Sequence, residues 1–222
     1  MSIIAIDYGK SKCGYAIGKI FVSESGTVTT ADIYKKIEKF EEVVLGLPLS
    51  MSGNYSTQTF EVIKFGLKLL KDGKKVRFID ERMTTKMAQV YNKRDDDRFS
   101  AEQILLDYLQ APDRAVNLKK STILKSREIF CECALILEVP YSQDFHILNA
   151  IGYTEDPYIA YTMFKESIFV YRVWNDLIQN IASLERLPDC IIINDKYREM
   201  LTRLNNGKIQ NNSNIEEFEI VS

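Results

Sequence analysis

Residues 3–18 read Ile-Ile-Ala-Ile-Asp-Tyr-Gly-Lys-Ser-Lys-Cys-Gly-Tyr-Ala-Ile-Gly, and the fold turns on this stretch. Residues 3–6 are a short apolar run that fits a strand buried on both faces. The run stops on Asp7. Gly9 permits a tight turn, and residues 14–17 lead back as a second strand. The product is a hairpin with a carboxylate at its centre. Such a group is costly to bury without compensation, and three partners would supply it: a helix N-terminus, an arginine or a divalent cation.

Composition bounds what surrounds the hairpin. The chain has 222 residues, 45% hydrophobic and 27% charged, enough for an ordinary globular core in one large or two small domains. No apolar run approaches the roughly 20 residues that span a bilayer, and no secretion signal opens the chain, so a cytoplasmic protein without a membrane partner is expected. Cys13, Cys131, Cys133 and Cys190 are too scattered for a disulfide framework and read as small buried hydrophobes. The single histidine, His146, stands far from any nucleophile motif, which argues against Ser-His-Asp and Cys-His catalysis. Chemistry is left to carboxylates. Residues 1–120 hold 20 Lys and Arg against 16 Asp and Glu, and the remainder 9 against 15. A mildly basic front half is compatible with a polyanionic partner.

Further along, residues 27–30 read as a third strand. Asp32 is placed to cap a short helix through about Phe40, and residues 43–48 form an apolar strand stopped by Gly46 and Pro48. Phe60, Ile63, Leu67 and Leu70 recur at helical spacing, with Asp72-Gly73 ending that helix. Residues 76–79 make another strand, again ending in acid at Asp80-Glu81. Thr84 or Thr85 is read as a helix cap, a charged stretch over 93–98 follows, and a helix runs from Ser100 to about Leu109. This gives one domain over residues 1–115. A smaller α/β module over 121–222 has strands at 133–139, 190–194 and 217–221. A long amphipathic helix or helix pair fills 157–184, and a polar loop fills 205–214.

Three acidic positions stand out: Asp7 closing the first strand, Glu81 after a later one, and Asp97 just before a helix. Carboxylate oxygens are hard donors suited to Mg²⁺ or Mn²⁺. If the sheet gathers these three, they can hold one or two ions beside a phosphodiester, chemistry that needs no histidine.

Four blocks, in order, resemble the YqgF/RuvX-like family of pre-16S rRNA nucleases, also called Holliday junction resolvases, of the RNase H-like superfamily. They are Ile4-Ala5-Ile6-Asp7-Tyr8-Gly9 through Gly14-Tyr15-Ala16; Val43-Val44-Leu45-Gly46-Leu47-Pro48-Leu49 with Gly53; Asp80-Glu81-Arg82-Met83-Thr84-Thr85; and Asp97-Arg98-Phe99-Ser100-Ala101 with Ile104-Leu105 and Tyr108-Leu109. They span nearly all of residues 1–112. The resemblance implies an α/β, RNase H-like mixed five-stranded sheet with flanking helices, and metal-dependent hydrolysis of phosphodiester bonds in structured nucleic acid. Carried over by position, the metal-binding and catalytic carboxylates fall on Asp7, Glu81 and Asp97; the adjoining Asp95 and Asp96 leave the third position open by one or two residues. Lys10, Lys12, Arg82, Lys93 and Arg94 are the candidate nucleic-acid contacts. Departures from the pattern include Ser100 for the usual alanine and Lys12-Cys13 for a more typical Arg-Ile. No block in residues 121–222 matches the family.

The resemblance does not choose between precursor 16S rRNA and branched DNA. The alternative to an enzyme is a catalytically weak module that keeps the fold and binds nucleic acid or protein, its acidic second half recruiting a partner. Actin-like sugar kinases share the Asp-x-Gly hairpin but need a second phosphate-binding hairpin that residues 121–222 lack. A homodimer and a protein partner for the second half are further expectations.

Overall fold

In the computed structural model, which describes residues 2–81, 96–204 and 213–222, the opening stretch folds into two antiparallel strands. β1 (Ile3–Tyr8) and β2 (Lys12–Gly18) pair from Ile3 opposite Gly18 to Tyr8 opposite Cys13. β3 (Val22–Thr29) continues the meander, starting earlier than its β-branched residues alone predict because Val22 pairs with Gly18. A one-turn helix, α1 (Ile33–Ile37), follows, shorter than expected. Asp32 does not cap it: its carboxylate accepts instead from the Thr29 hydroxyl and the Lys35 ammonium, which leaves no oxygen aimed at the free amides.

β4 (Glu42–Leu47) then lies parallel to β1. α2 (Thr57–Lys71) begins at a capping box in which Ser56 and Thr59 satisfy each other's backbone amides, and Gly73, at φ 82°, turns the chain after it. β5 (Lys75–Asp80) pairs parallel to β4. α3 (Asp96–Gln110) starts four residues before Ser100, and β6 (Val116–Asn117) adds a short antiparallel edge beside β5. The sheet order is β3-β2-β1-β4-β5-β6, so the expected mixed sheet forms with a sixth, two-residue strand. Together Met1–Met51 and Ser56–Leu118 make one compact unit.

Strand alternation decides which side chains share a face. Ala5, Val44 and Ile79 pack against Ala101, Ile104, Leu105 and Tyr108 of α3. Small residues on that face let the helix lie close: a β-carbon on Gly14 would meet the Asp97 carbonyl. On the other face Tyr8 stacks on Phe65 of α2 with ring centroids 4.4 Å apart, and Gly66 lies against Leu45 and Phe78.

The second unit comprises Ser52–Tyr55 and Lys119–Ser222. β7 (Thr122–Ile123) is followed by β8 (Ile129–Leu137) and β9 (Phe145–Tyr153). The expected long helix is a pair, α4 (Pro157–Lys165) and α5 (Trp174–Ser183), split by β10 (Phe169–Tyr171). The break falls at Ser167, whose φ of 61° cannot continue a right-handed helix. β11 (Cys190–Asn194), β12 (Asn214–Phe218) and β13 (Ile220–Val221) complete the unit, the last pairing with β7. The main sheet, β10-β9-β8-β11-β12, is parallel throughout. Its core joins Leu135, Leu137, Ile191 and Ile193 to Leu177 and Ile181 of α5, the buried stripe expected of an amphipathic helix. Asn54 ties down the entry to α5: its side-chain oxygen accepts from the Arg172 and Val173 amides, just before the helix, while its nitrogen donates to Asp176 in the first turn. All four cysteines are free, His146 stacks on Phe130, and no helix among the described residues is long and apolar enough to cross a membrane.

Glu138, just past β8, combines burial with a left-handed backbone, φ 55°. Its oxygens accept from the Thr154 hydroxyl and the Glu155 amide. Burial, opposed by those two hydrogen bonds, raises its pKa from 4.5 to about 7. Between those values the folded state holds a proton that the unfolded chain releases, so this contribution is complete below pH 4.5 and is lost as pH rises towards 7. Glu138→Gln should therefore stabilise the second unit at pH 8 by about 2 kcal/mol, with little difference at pH 4. Urea unfolding followed by the fluorescence of Trp174, the one tryptophan in the chain, reads that unit selectively.

Candidate active site

Asp7, Gly46 and Glu81 end or follow three neighbouring parallel strands and share the parity of Ala5, Val44 and Ile79, so all three lie on the α3 face. The strand-ending acids of the sequence thus become neighbours because the chain enters β1, β4 and β5 in the same direction. Gly46 is required by this packing. A β-carbon there would fall 2.0 Å from Glu81 Oε1, so the Glu81 carboxylate lies directly over the glycine. Asp97 arrives from the first turn of α3, above Gly14, which is paired with Asp7 in the hairpin.

The electrostatics record how closely the acids interact. Burial raises the Asp7 pKa from 3.8 to about 6; the charge of Asp97 adds to the rise, and a hydrogen bond from Ser100 opposes it. Burial lifts Glu81 further, from 4.5 to about 8, with added repulsion from Asp7 and Asp80. Asp7 is therefore the shared member, coupled to Asp97 on one side and Glu81 on the other. Lys12 Nζ stands 2.7 Å from Asp97 Oδ2. That oxygen is shut off from solvent and takes no hydrogen bond, so Lys12 meets it as a charge rather than along a donor direction.

The donors are all hard oxygens, the set that Mg²⁺ and Mn²⁺ select. Among the described residues, however, no three of His, Cys, Asp and Glu stand close enough, as placed, to surround an ion. The Lys12 ammonium is the positive charge that meets Asp97 in this arrangement. Asp7, Glu81 and Asp97 match a divalent cation by donor chemistry and by mutual repulsion.

Of the candidate nucleic-acid contacts, Lys10 lies exposed in the β1–β2 turn and Lys12 pairs with Asp97. Arg82, Lys93 and Arg94 lie outside the described residues, as do Thr84, Thr85 and Asp95. Ser100, a departure from the family pattern, is in the structure a hydrogen-bond donor to Asp7. Its spacing of three from Asp97 on a helix, the same face one turn on, was the available signal.

Residues 1–111 match the family model described as "RuvX: Holliday junction resolvase". The chain belongs to the RuvX family. Similar proteins extend the match. The "Putative pre-16S rRNA nuclease" of Thermotoga maritima is 32% identical over 195 residues, covering 83% of this chain and 88% of that protein. The "Ribonuclease YqgF" of Deinococcus radiodurans is 32% identical over 114 residues, 47% of this chain and 84% of its own length. The "Putative pre-16S rRNA nuclease" of Rickettsia bellii is 36% identical over 104 residues, 41% and 68% respectively. This RuvX/YqgF chain is thus a nuclease, a hydrolase acting on nucleic acid. The Thermotoga match covers 83% of the chain and so reaches well into residues 121–222. The family model itself stops at residue 111, so residues 121–222 are matched by this relative and not by the family model.

Gly14→Ala tests the packing of the RuvX site. The added methyl carbon would meet the Asp97 carbonyl, so the start of α3 must shift and carry Asp97 away from Asp7. Displacements of about 1 Å cost up to roughly 10²-fold in rate. Cleavage should fall by about that factor while circular dichroism stays near wild type.

Proposed function

We propose that this RuvX/YqgF nuclease cuts a phosphodiester bond in structured RNA, precursor 16S rRNA, with Asp7, Glu81 and Asp97 holding Mg²⁺ or Mn²⁺. The observation that carries the reading is the coupling of Asp7, near the end of β1, to Glu81 after the neighbouring parallel strands and to Asp97 in the first turn of α3. Asp7 and Glu81, whose pKa values are raised by burial and by neighbouring negative charge, gain most from a cation that removes the repulsion. When bound, the metal supplies charge neutralisation at the phosphate and acidifies the attacking water. The protein's own residues do the rest. Asp7 stands between the other two acids, Ser100 orients it, and Glu81 is held over Gly46 by the fit of the strand ends. Lys12, exposed beside Asp97, would serve as a phosphate contact on the substrate strand.

The choice of RNA follows the names of the Thermotoga and Rickettsia relatives; the family description favours a junction instead. A labelled precursor 16S rRNA fragment and a four-way DNA junction, each incubated with Mn²⁺, Mg²⁺ or EDTA, separate the two. Cleavage of the RNA alone, abolished by EDTA, is the expected result. Cleavage of the junction alone overturns the RNA assignment, and cleavage unaffected by EDTA overturns the metal.

A further inference from the structure

On the sheet face opposite the carboxylates, β1 ends beside a cavity of about 430 Å³ lined by Tyr8, Gly9, Lys10, Thr57, Gln58 and Glu61. Its size is in the range, about 300–1,000 Å³, of pockets that hold small organic groups. Tyr8 follows Asp7 directly and points to the other face, so the cavity and the carboxylates flank one strand end. The Tyr8 ring is held by its stack on Phe65, itself met edge-on by Tyr34. The remaining side chains carry polar ends, but most of the surface turned to the cavity is apolar. The side chains of Lys10, Thr57, Gln58 and Glu61 make no hydrogen bond or ion pair with any described residue.

The charge pattern selects the occupant. A phosphate inside the cavity would face the Glu61 carboxylate, whereas Lys10, on the exposed turn, suits a phosphate at the mouth. A fixed aromatic ring suits a base's π-face. Gln58 offers a donor and an acceptor together, the pair that reads a base edge, and Glu61 accepts from an exocyclic amine. We propose that this cavity receives the base of a nucleotide neighbouring the scissile phosphate, favouring amino-bearing bases over uracil, and so helps set where the nuclease cuts. The position beside the cut rests on the reading of Asp7 as the cleavage centre; the base pocket itself does not.

Two measurements separate these parts. In the first, isotope-labelled wild type is titrated with 5′-AMP, 5′-UMP and ribose 5-phosphate. AMP should shift the Gln58 side-chain amide more than UMP does, and ribose 5-phosphate should leave that signal in place. Equal shifts from AMP and ribose 5-phosphate, or none at Gln58, overturn the pocket. In the second, the RNA substrate carries an abasic nucleotide on either side of the cut. Wild type should lose about tenfold or more in kcat/KM on one flank. Gln58→Ala, an exposed helix position whose loss should leave the fold intact, should cut the normal substrate more slowly yet show an abasic penalty reduced to about threefold or less. An unchanged penalty in the variant, or none in wild type, overturns the assignment to a flanking base. If AMP shifts Gln58 but no RNA is cut, the pocket stands and the cleavage reading falls.

Discussion

Asp7→Asn should lower the cleavage rate by at least about 10³-fold, a loss of roughly 4 kcal/mol in transition-state stabilisation. The substitution barely changes volume, and the amide can still accept a hydrogen bond from Ser100. What disappears is the negative charge shared by Asp97 and Glu81. Because Asp7 carries a pKa raised to about 6 by burial and by Asp97, the same change removes repulsion. The metal-free variant should be at least as stable as wild type. Single-turnover cleavage and hydrogen exchange at the amides of β1, measured together, check both halves. A dead but unfolded variant would say nothing about the site; a dead and more stable one is the expected signature of a residue kept for function at a cost in stability.

Glu81→Gln should produce the largest change in stability. The folded pKa of about 8 lies far above the unfolded 4.5, with burial the first cause. As pH rises through that window the folded state retains a proton that the unfolded chain gives up, and stability falls by up to about 1.4 kcal/mol per pH unit. Above pH 8 the cost of holding the ionised group is fully present, on the order of 3 kcal/mol. The neutral glutamine avoids it. Metal-free Glu81→Gln should therefore outlast wild type at pH 9 in denaturant, match it near pH 4, and cut nothing. Added Mn²⁺ should raise the stability of wild type at pH 8 more than that of the variant, since binding to the folded state alone stabilises it. A variant less stable than wild type at pH 9 would mean that Glu81 is compensated where it stands.

The nuclease half was legible because its chemistry sits at points where local sequence rules are strict. Asp7 interrupts an apolar run, and a glycine is needed wherever a helix or carboxylate crosses close to a strand. That is why Gly14 and Gly46 appear as motif letters, and why the order of the blocks carries the fold. The helix packing that unites Asp97 with Asp7 also follows from alternation along β1. Other features were not legible for physical reasons. Asp32 has the right residue type for a cap, but a lysine and a threonine within hydrogen-bond reach compete for its oxygens. β9 escaped because the polar, exposed His146 and Asn149 interrupt the apolar run that marks a buried strand. Ser52–Tyr55 reads as a plain loop, yet Asn54 holds the entry to a helix more than a hundred residues away and Tyr55 donates to the Thr154 carbonyl. No local pattern announces a contact supplied from so far along the chain. Ser100 and Gln58 belong to the same class: their roles come from what the fold sets opposite them.

The central claim, that Asp7, Glu81 and Asp97 together hold a divalent cation, is tested most directly by calorimetric titration of the metal-free protein with Mn²⁺ at pH 6 and pH 8 in buffers of different ionisation enthalpy. The pKa values of about 6 for Asp7 and about 8 for Glu81 predict that protons leave as the metal enters. Affinity should accordingly be higher at pH 8, proton release larger at pH 6, and binding lost in Asp7→Asn. Mn²⁺ binding that is independent of pH and survives in Asp7→Asn, Glu81→Gln and Asp97→Asn alike would contradict it.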